Sequence, residues 1–292
     1  MIGMTVAFHP TQRERLRFME SLACWEGVVN RQRVCEAMHV SLNHLTRDFA
    51  LYRDAYPDNL VYDISNRCYR PGPRFKPEIA TGAPDEYLSL LRLHAESKAD
   101  AALPWLPGPG AADIVPRSAG TIDGMTLQRV TRAIARDQGL SATYQSMKSP
   151  EPISRTLWPH ALVFSGYRWH ARAYDEQHDR FGDFVLARLT HVRGLDGAKK
   201  PPEAMVPADS EWQDRVTIDV LPAARLTEHQ RDVVAREYGM KRDGDGWVWR
   251  VKMRRCLAPY FMQFYPLDPK GASSHIALRE PALYKVYAFN DV

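Results

Sequence analysis

Apolar residues recur every three or four positions through the N-terminal part of the chain, a pattern that predicts helices. A first helix is predicted over Arg13–Trp25 and a short second helix over Arg31–Met38. A third is predicted from its cap, Ser41, to about Tyr56, because Pro57 cannot continue it. A short helix, a tight turn and a longer helix are the order of a helix-turn-helix.

The third helix has two contrasting faces. At about 100° per residue, one set of apolar side chains falls within roughly 80° of arc and is expected to face the core. These are Leu42, Leu45, Phe49 and Tyr52. Polar side chains on the opposite face suit base contacts, since Asn pairs with adenine and Arg with guanine. The candidates are Asn43, His44 and Arg47, with Ser41 near a phosphate at the helix N-terminus. An ordinary solvated helix face is the alternative.

Residues 59–70 alternate in polarity around Ser65 and Asn66, which predicts a hairpin. A hairpin directly after the third helix is typical of the wing in a winged helix-turn-helix. Asn66, Arg67 and Arg70 lie at or just after its tip and suit DNA contacts, the arginines to phosphates. We therefore assign a DNA-binding domain to residues 1–76.

The next stretch mixes helical and irregular sequence. Helices are predicted over Pro84–Lys98 and Ile122–Gln138, with a Pro- and Gly-rich segment at 103–116 between them. We describe residues 77–139 as a helical linker region.

From residue 140 the pattern changes to a period of two, which predicts strands. Tyr167–Tyr174 is one strand and Phe181–Leu189 is its hairpin partner. The polar face carries Arg168, His170 and Arg172, with Arg188 on the partner strand. Aligned like charges repel, so a bound anion would account for them. A solvated basic face is the alternative. Trp169 alternates with the arginines and is also interpreted as a core residue.

Strands and helices alternate in the C-terminal part of the chain. Strands are predicted over Val216–Leu221 and Trp247–Met253, helices over Thr227–Tyr238 and Cys256–Phe264, and a last strand over Tyr284–Phe289. This order predicts a small α+β domain over residues 206–292.

Composition and charge narrow the class of protein. The net charge is +4, with eleven basic against eight acidic residues in 1–76 and nine against six in 140–200, the two segments expected to meet anions. No apolar run is long enough to span a membrane and no signal-peptide pattern is present. The four cysteines lack metal-binding spacing, so reduced thiols in the cytoplasm and no metal site are expected.

Motifs for catalysis are absent from the sequence: there is no GxSxG, HExxH, Walker A motif or Gly-rich dinucleotide fingerprint in context. The acidic run at 175–183 has two interpretations, a metal-dependent nuclease cluster and a solvent-exposed hairpin loop, and the loop is the simpler one. We therefore expect neither an enzyme nor a cofactor.

Two motifs resemble the WYL domain, a small Sm/SH3-like β-barrel of bacterial transcription regulators and some helicases. They are YRWHARAYD at 167–175 and FVLARL at 184–189. The Trp of the name-giving motif is Trp169, whereas His170 and Ala171 replace its Tyr and Leu, and Val185 replaces a common basic residue. The form is similar to dimeric regulators that sit beside BREX and CBASS anti-phage defence operons, and the resemblance extends over the whole chain.

The resemblance implies a multi-domain α+β chain: an N-terminal winged helix-turn-helix, a central Sm/SH3-like WYL β-barrel over 140–205 and a C-terminal dimerisation domain over 206–292. It also implies that four basic residues of the barrel converge on one face beside aromatic and hydrogen-bonding groups. The expected ligand-binding residues are Tyr144, Ser146, Arg155, His160, Trp169, His170, Arg172 and Arg188.

The function expected is that of a cytoplasmic homodimeric repressor of an anti-phage defence operon. It would bind a palindromic double-stranded operator, and repression would be relieved when the barrel binds an anionic ligand such as single-stranded DNA or a nucleotide. An activator that responds to DNA damage and a nucleic-acid-binding accessory protein without promoter specificity are the alternatives.

Overall fold

The computed structural model describes residues 8–97, 115, 121–267 and 274–289. The chain divides into two compact units, Met1–Pro116 and Arg117–Val292.

The first unit is a winged helix, as the sequence predicts. Its helices and strands are α1 (Pro10–Glu26), α2 (Arg31–Met38), α3 (Leu42–Ala55), β1 (Leu60–Asp63), β2 (Cys68–Pro71) and α4 (Pro84–Ser97). The side chains of Asn30 and Ser41 cap α2 and α3 by accepting backbone N–H bonds, which satisfies donors that a helix start leaves unpaired. Leu16, Met19 and Phe49 pack in the core between the helices.

The hairpin is attached to the helices at two points. Val29, between α1 and α2, pairs with Tyr69 of β2 through an isolated antiparallel bridge of two backbone hydrogen bonds. Gly72 follows β2, and a Cβ atom there would lie 2.0 Å from the carbonyl oxygen of Asp58. Only glycine permits this close approach, so the wing is held tightly against the end of α3.

A fully buried carboxylate, Glu20 of α1, fixes the chain that leaves the wing. It accepts the Tyr52 hydroxyl at 2.6 Å and the backbone N–H groups of Glu78, Ile79 and Ala80 at 2.7–3.1 Å. These bonds satisfy both oxygens, which is what makes burial of the carboxylate tolerable. The segment after the wing is thereby tied to α1 and α3.

The second unit begins with α5 (Gly124–Arg136) and a five-stranded antiparallel sheet in the order β6-β5-β4-β3-β7. The strands are β3 (Leu140–Tyr144), β4 (Ile153–Phe164), β5 (Trp169–Asp175), β6 (Arg180–Val185) and β7 (Leu189–Gly194). Only the short turn Leu186–Arg188 joins β6 to β7, although these strands form opposite edges of the sheet. Three residues span about 10 Å at most, so the sheet must curl back on itself as a small barrel does.

Most of the side chains inside this curled sheet are apolar. Ala171, Ala173 and Phe184 line it, and Val130 and Ala133 of α5 pack against the same core. Helix α5, which falls in the region described from sequence as linker, therefore covers the barrel.

The rest of the unit is a four-stranded antiparallel sheet in the order β11-β8-β10-β9 with helices around it. The elements are α6 (Ser210–Gln213), β8 (Arg215–Pro222), α7 (Glu228–Glu237), β9 (Lys241–Asp243), β10 (Gly246–Arg254), α8 (Ala258–Phe264), β11 (Ile276–Leu278) and α9 (Ala282–Tyr287). The predicted last strand, Tyr284–Phe289, is wrong: most of it is helix α9, because Tyr284 and Tyr287, three residues apart, both pack on the core.

No helix among the described residues is long and apolar enough to cross a membrane. The four cysteines are free thiols, and burial raises the pKa of Cys256 to about 12. The described residues contain no cluster of His, Cys, Asp and Glu side chains arranged to hold a metal ion.

Candidate nucleic-acid interface and ligand site

The N-terminal half of α3 presents an open polar surface. Asn43 and Arg47 are exposed, and neither makes a hydrogen bond or ion pair with another described residue. They lie four positions apart, so they are neighbours on one face of the helix. Ser41 is exposed at the helix start, where its hydroxyl oxygen accepts the N–H of His44 at 3.3 Å. The backbone N–H groups and the helix dipole make this end favourable for a phosphate.

His44 differs from these neighbours because its ring is already engaged. Its Nε2 atom lies 3.0 Å from a guanidinium nitrogen of Arg15 on α1. Arg15 in turn donates to the buried carboxylate of Asp48 at 2.6 Å, and Gln12 donates to the same group at 2.8 Å. His44 stays a candidate for base contacts, and its ring is restrained by this network.

The wing candidates are also partly engaged. Asp63 accepts the side chain and backbone N–H of Asn66 and the guanidinium of Arg70, all within 3.0 Å. The bonds from Asn66 and then from Arg70 hold the pKa of the Asp63 carboxyl well below its usual range. Arg67 makes no such bond within the described chain, and Ile64 at the tip is 81% exposed. Arg67 is therefore the wing cation best placed to approach a phosphate.

Leu42 is not a core residue, contrary to the prediction. It is 51% exposed, whereas Leu45, Phe49 and Tyr52 are buried. At about 100° per residue, Leu42 lies roughly 60° from Leu45, at the edge of the core face and on the first helical turn. The periodicity alone could not show that no other element covers this turn.

In the barrel, the predicted convergence of four basic side chains is wrong for Arg155. Arg155 lies opposite Ala142 and on the same face of β4 as Leu157, which is the interior face. It donates to Asp175 at 2.7 Å and contacts His178. His170 and Arg172 lie on the other face of the sheet, because residues of β5 alternate with the interior Ala171 and Ala173.

Arg172 is fully committed to carboxylates. It is buried and donates to both oxygens of Asp209 at 2.7 and 2.8 Å, to Asp183 at 3.3 Å and to Glu211 at 3.1 Å. Burial opposes the charge, yet the bonds to Asp209 and the nearby Asp183 raise the pKa of Arg172. The expectation that Arg172 is available to an anionic ligand is therefore corrected.

His160 belongs to the same internal cluster. Its Nε2 atom lies 3.0 Å from an oxygen of Asp209, and its ring packs edge-on against Trp212. Burial favours the protonated acid, but the bonds from Arg172 and His160 hold the pKa of Asp209 well below its usual range. Asp209 thus joins strands β4 and β5 to the segment that opens the C-terminal sheet, and no pattern in the sequence marked it.

Tyr144 and Ser146 have local roles. The Tyr144 ring is buried in the barrel core, edge-on to Phe184, and its hydroxyl accepts the N–H of Val185 at 3.4 Å. The Ser146 hydroxyl accepts the N–H of Lys148 in the turn after β3. Tyr144 is among the expected ligand-binding residues, but its ring lies in the barrel core.

A second group of basic residues still has polar atoms without partners among the described residues. His170 is 3% exposed, and its Nδ1 atom has no hydrogen-bond partner among the described residues. Burial, and then the charges of Arg168 and Arg188, lower the pKa of His170 to about 4, so its ring is neutral at pH 7. Neither arginine forms an ion pair with a described carboxylate. Within the described chain, two arginines without carboxylate partners therefore lie near the neutral ring of His170, whose Nδ1 atom has no hydrogen-bond partner.

Exposed aromatic rings lie next to this group along the chain. Trp169 is 45% exposed and lies 5.0 Å from the ring of Phe164, and the guanidinium of Arg168 lies 4.5 Å from the centre of the Tyr167 ring. Gly166 holds the turn that carries them, with φ +97 and no room for a side chain beside Phe264. Trp169 is thus a surface residue rather than core, and rings beside arginines suit bases beside phosphates.

Comparisons with known proteins agree with this architecture along most of the chain. The BrxR transcriptional regulator winged helix-turn-helix domain matches residues 11–93, the WYL domain matches 125–193, and the BrxR C-terminal dimerization domain matches 215–283.

Three similar proteins are each named DNA-binding transcriptional repressor CapW. The Escherichia coli (strain KTE188) protein is 31% identical, over 91% of this chain and 86% of its own. The Stenotrophomonas maltophilia protein is 33% identical, over 90% and 85%, and the Pseudomonas aeruginosa protein is 30% identical, over 86% and 81%.

Among solved structures, Proteasome accessory factor B/C (PafBC) of Arthrobacter aurescens aligns at 16% identity and a TM-score of 0.29. The alignment covers 96% of this chain and 46% of that protein, so the chain spans about half its length. Because the relatives at 30% identity or more are repressors, the nuclease interpretation of the acidic run is set aside. The chain belongs to the BrxR/CapW family of WYL-domain, DNA-binding transcriptional repressors.

Proposed function

We propose that this protein is a homodimeric repressor that binds a palindromic operator through α3 and the wing. The observation that carries the proposal is the exposed pair Asn43 and Arg47 at the start of α3, a pair that has no polar partner among the described residues, on a winged helix whose relatives are named repressors. A dimer with two-fold symmetry would place two such helices in successive major-groove turns, about 34 Å apart. The domain limits 1–76, 77–139, 140–205 and 206–292 remain part of this proposal.

Ligand control is the second part of the proposal. The barrel would bind an anionic ligand, single-stranded DNA or a nucleotide, on the surface around Arg168, Arg188 and Trp169, next to the buried His170 ring. Among the described residues, the two arginines have no carboxylate partner and the Nδ1 atom of His170 has no hydrogen-bond partner. These features, together with exposed rings for stacking, support this location. Arg155, His160 and Arg172 fall outside the surface because their partners lie within the protein.

Release of the operator would follow only if the ligand prefers one dimer geometry to another, since equal affinity shifts no equilibrium. The operon would then be expressed when the ligand accumulates, and the family resemblance suggests an anti-phage defence operon. An activator with the same operator would show the opposite sign of regulation.

Selection from a random pool of labelled duplexes tests the DNA-binding part. The full-length protein should enrich one palindromic site, and Arg47→Ala should weaken binding to it by about 1–3 kcal/mol and relax the preference at one base pair per half-site. Glu14→Gln, an exposed change on α1, is the matched control and should leave binding unchanged. Equal affinity for selected and random duplexes would instead favour the accessory role.

A further inference from the structure

An apolar stripe runs along the exposed face of α3. Leu42, Thr46 and Ala50 are all exposed and lie four positions apart, so they fall within about 80° of arc. The polar pair Asn43 and Arg47 forms the next stripe around the helix, offset by about 100°. An apolar row thus lies directly beside the row proposed to read bases.

The group of the exposed Thr46 side chain that stays free for contacts is its methyl group. Its hydroxyl donates to the carbonyl oxygen of Leu42 at 2.7 Å, within the helix. With that hydroxyl bonded to the backbone, the remaining group of the side chain is apolar. Leu42 also lies outside the apolar core of the unit, so burial within the described chain does not account for it.

The major groove offers one apolar feature, the 5-methyl group of thymine. Leucine and the threonine methyl match it by size and polarity, whereas phosphates and the other base edges are polar. We propose that Leu42, assisted by Thr46, reads the 5-methyl of a thymine in each operator half-site, next to the base read by Asn43 or Arg47. The inference rests on the proposed function of α3 and adds a base identity to it.

Replacing thymine by deoxyuridine tests this because only the methyl group is removed. The duplex is the palindrome that the full-length protein itself selects, with thymines replaced one symmetric pair at a time. The wild-type protein should lose about fourfold affinity per half-site at one position, equivalent to ~0.8 kcal/mol for one apolar carbon. Leu42→Ala should bind the thymine duplex correspondingly less tightly and should no longer distinguish uracil from thymine there.

Leu51 provides the matched control. It is also a leucine of α3 and is 50% exposed, but it lies nine residues further along the helix, about 13 Å from Leu42. Leu51→Ala should keep the wild-type affinity and the wild-type sensitivity to uracil. A Leu42→Ala protein that still distinguishes uracil from thymine as the wild type does would overturn the inference. If Arg47→Ala also binds normally, the recognition helix itself is misassigned and the proposed function fails first.

Discussion

At the scale of single residues, Asp209 connects three segments of the second unit. It accepts two hydrogen bonds from the buried Arg172 guanidinium and one polar contact from His160. A buried ion pair contributes little net stability, but removing one partner leaves a buried charge uncompensated. The cluster therefore acts as a connection between the barrel and the segment before the C-terminal sheet.

Asp209→Asn should destabilise the protein by about 3–5 kcal/mol at pH 7, because Arg172 loses its main counter-charge. Denaturant unfolding of the full-length protein measures the change. Glu211→Gln removes a half-exposed carboxylate from the same guanidinium and should cost less than about 1 kcal/mol. Equal effects of the two variants would contradict this account of the cluster.

His170 should make stability depend on pH. Its pKa is lowered in the folded protein, so the unfolded chain binds the proton first as pH falls. Its contribution is fully present above about pH 6.5 and is lost towards pH 4, by at most about 1.4 kcal/mol per pH unit. His170→Phe keeps a ring against Tyr260 but cannot titrate, so its unfolding free energy should vary less over this window. Parallel curves for the two proteins would show that His170 is protonated equally in both states.

At the scale of elements, sequence patterns predicted the helices and strands that depend on interactions between residues close in the chain. Caps, periodicity and the hairpin pattern are enough for the winged helix and for strands β5 and β6, since each depends on residues close in the chain. The sheet connectivity and the partners of Arg172 could not be predicted, because Asp209 is 37 residues away in sequence. Helix α9 was missed because tertiary packing overrode the strand propensity of its Tyr and Val residues.

In the first unit, Glu20 also binds groups that are distant in sequence, since it holds the segment after the wing. Glu20→Gln should destabilise the unit by about 1–3 kcal/mol, because an amide NH₂ would face N–H donors that now bond to a carboxylate oxygen. Thermal unfolding measures this, with Glu14→Gln on the exposed side of α1 as the control. An unchanged midpoint for Glu20→Gln would mean that the buried bonds contribute nothing net.

At the scale of the whole molecule, the proposal depends on two recognition helices acting as a pair. Five base pairs inserted between the half-sites rotate one by about half a turn, and should abolish the affinity that comes from engaging both at once. Gel-shift titration of the full-length protein on the two duplexes measures the loss. A protein that binds both duplexes equally well would be using one half-site at a time.

The most direct test of ligand control is displacement of a labelled palindromic duplex by an unlabelled single-stranded oligonucleotide, followed by fluorescence anisotropy. Wild type and Arg188→Ala should bind the duplex equally, since Arg188 is in the barrel and not on the winged helix. The oligonucleotide should release the duplex from the wild-type protein and much less from Arg188→Ala. Equal release from both proteins, or release from neither, would contradict control through this surface of the barrel.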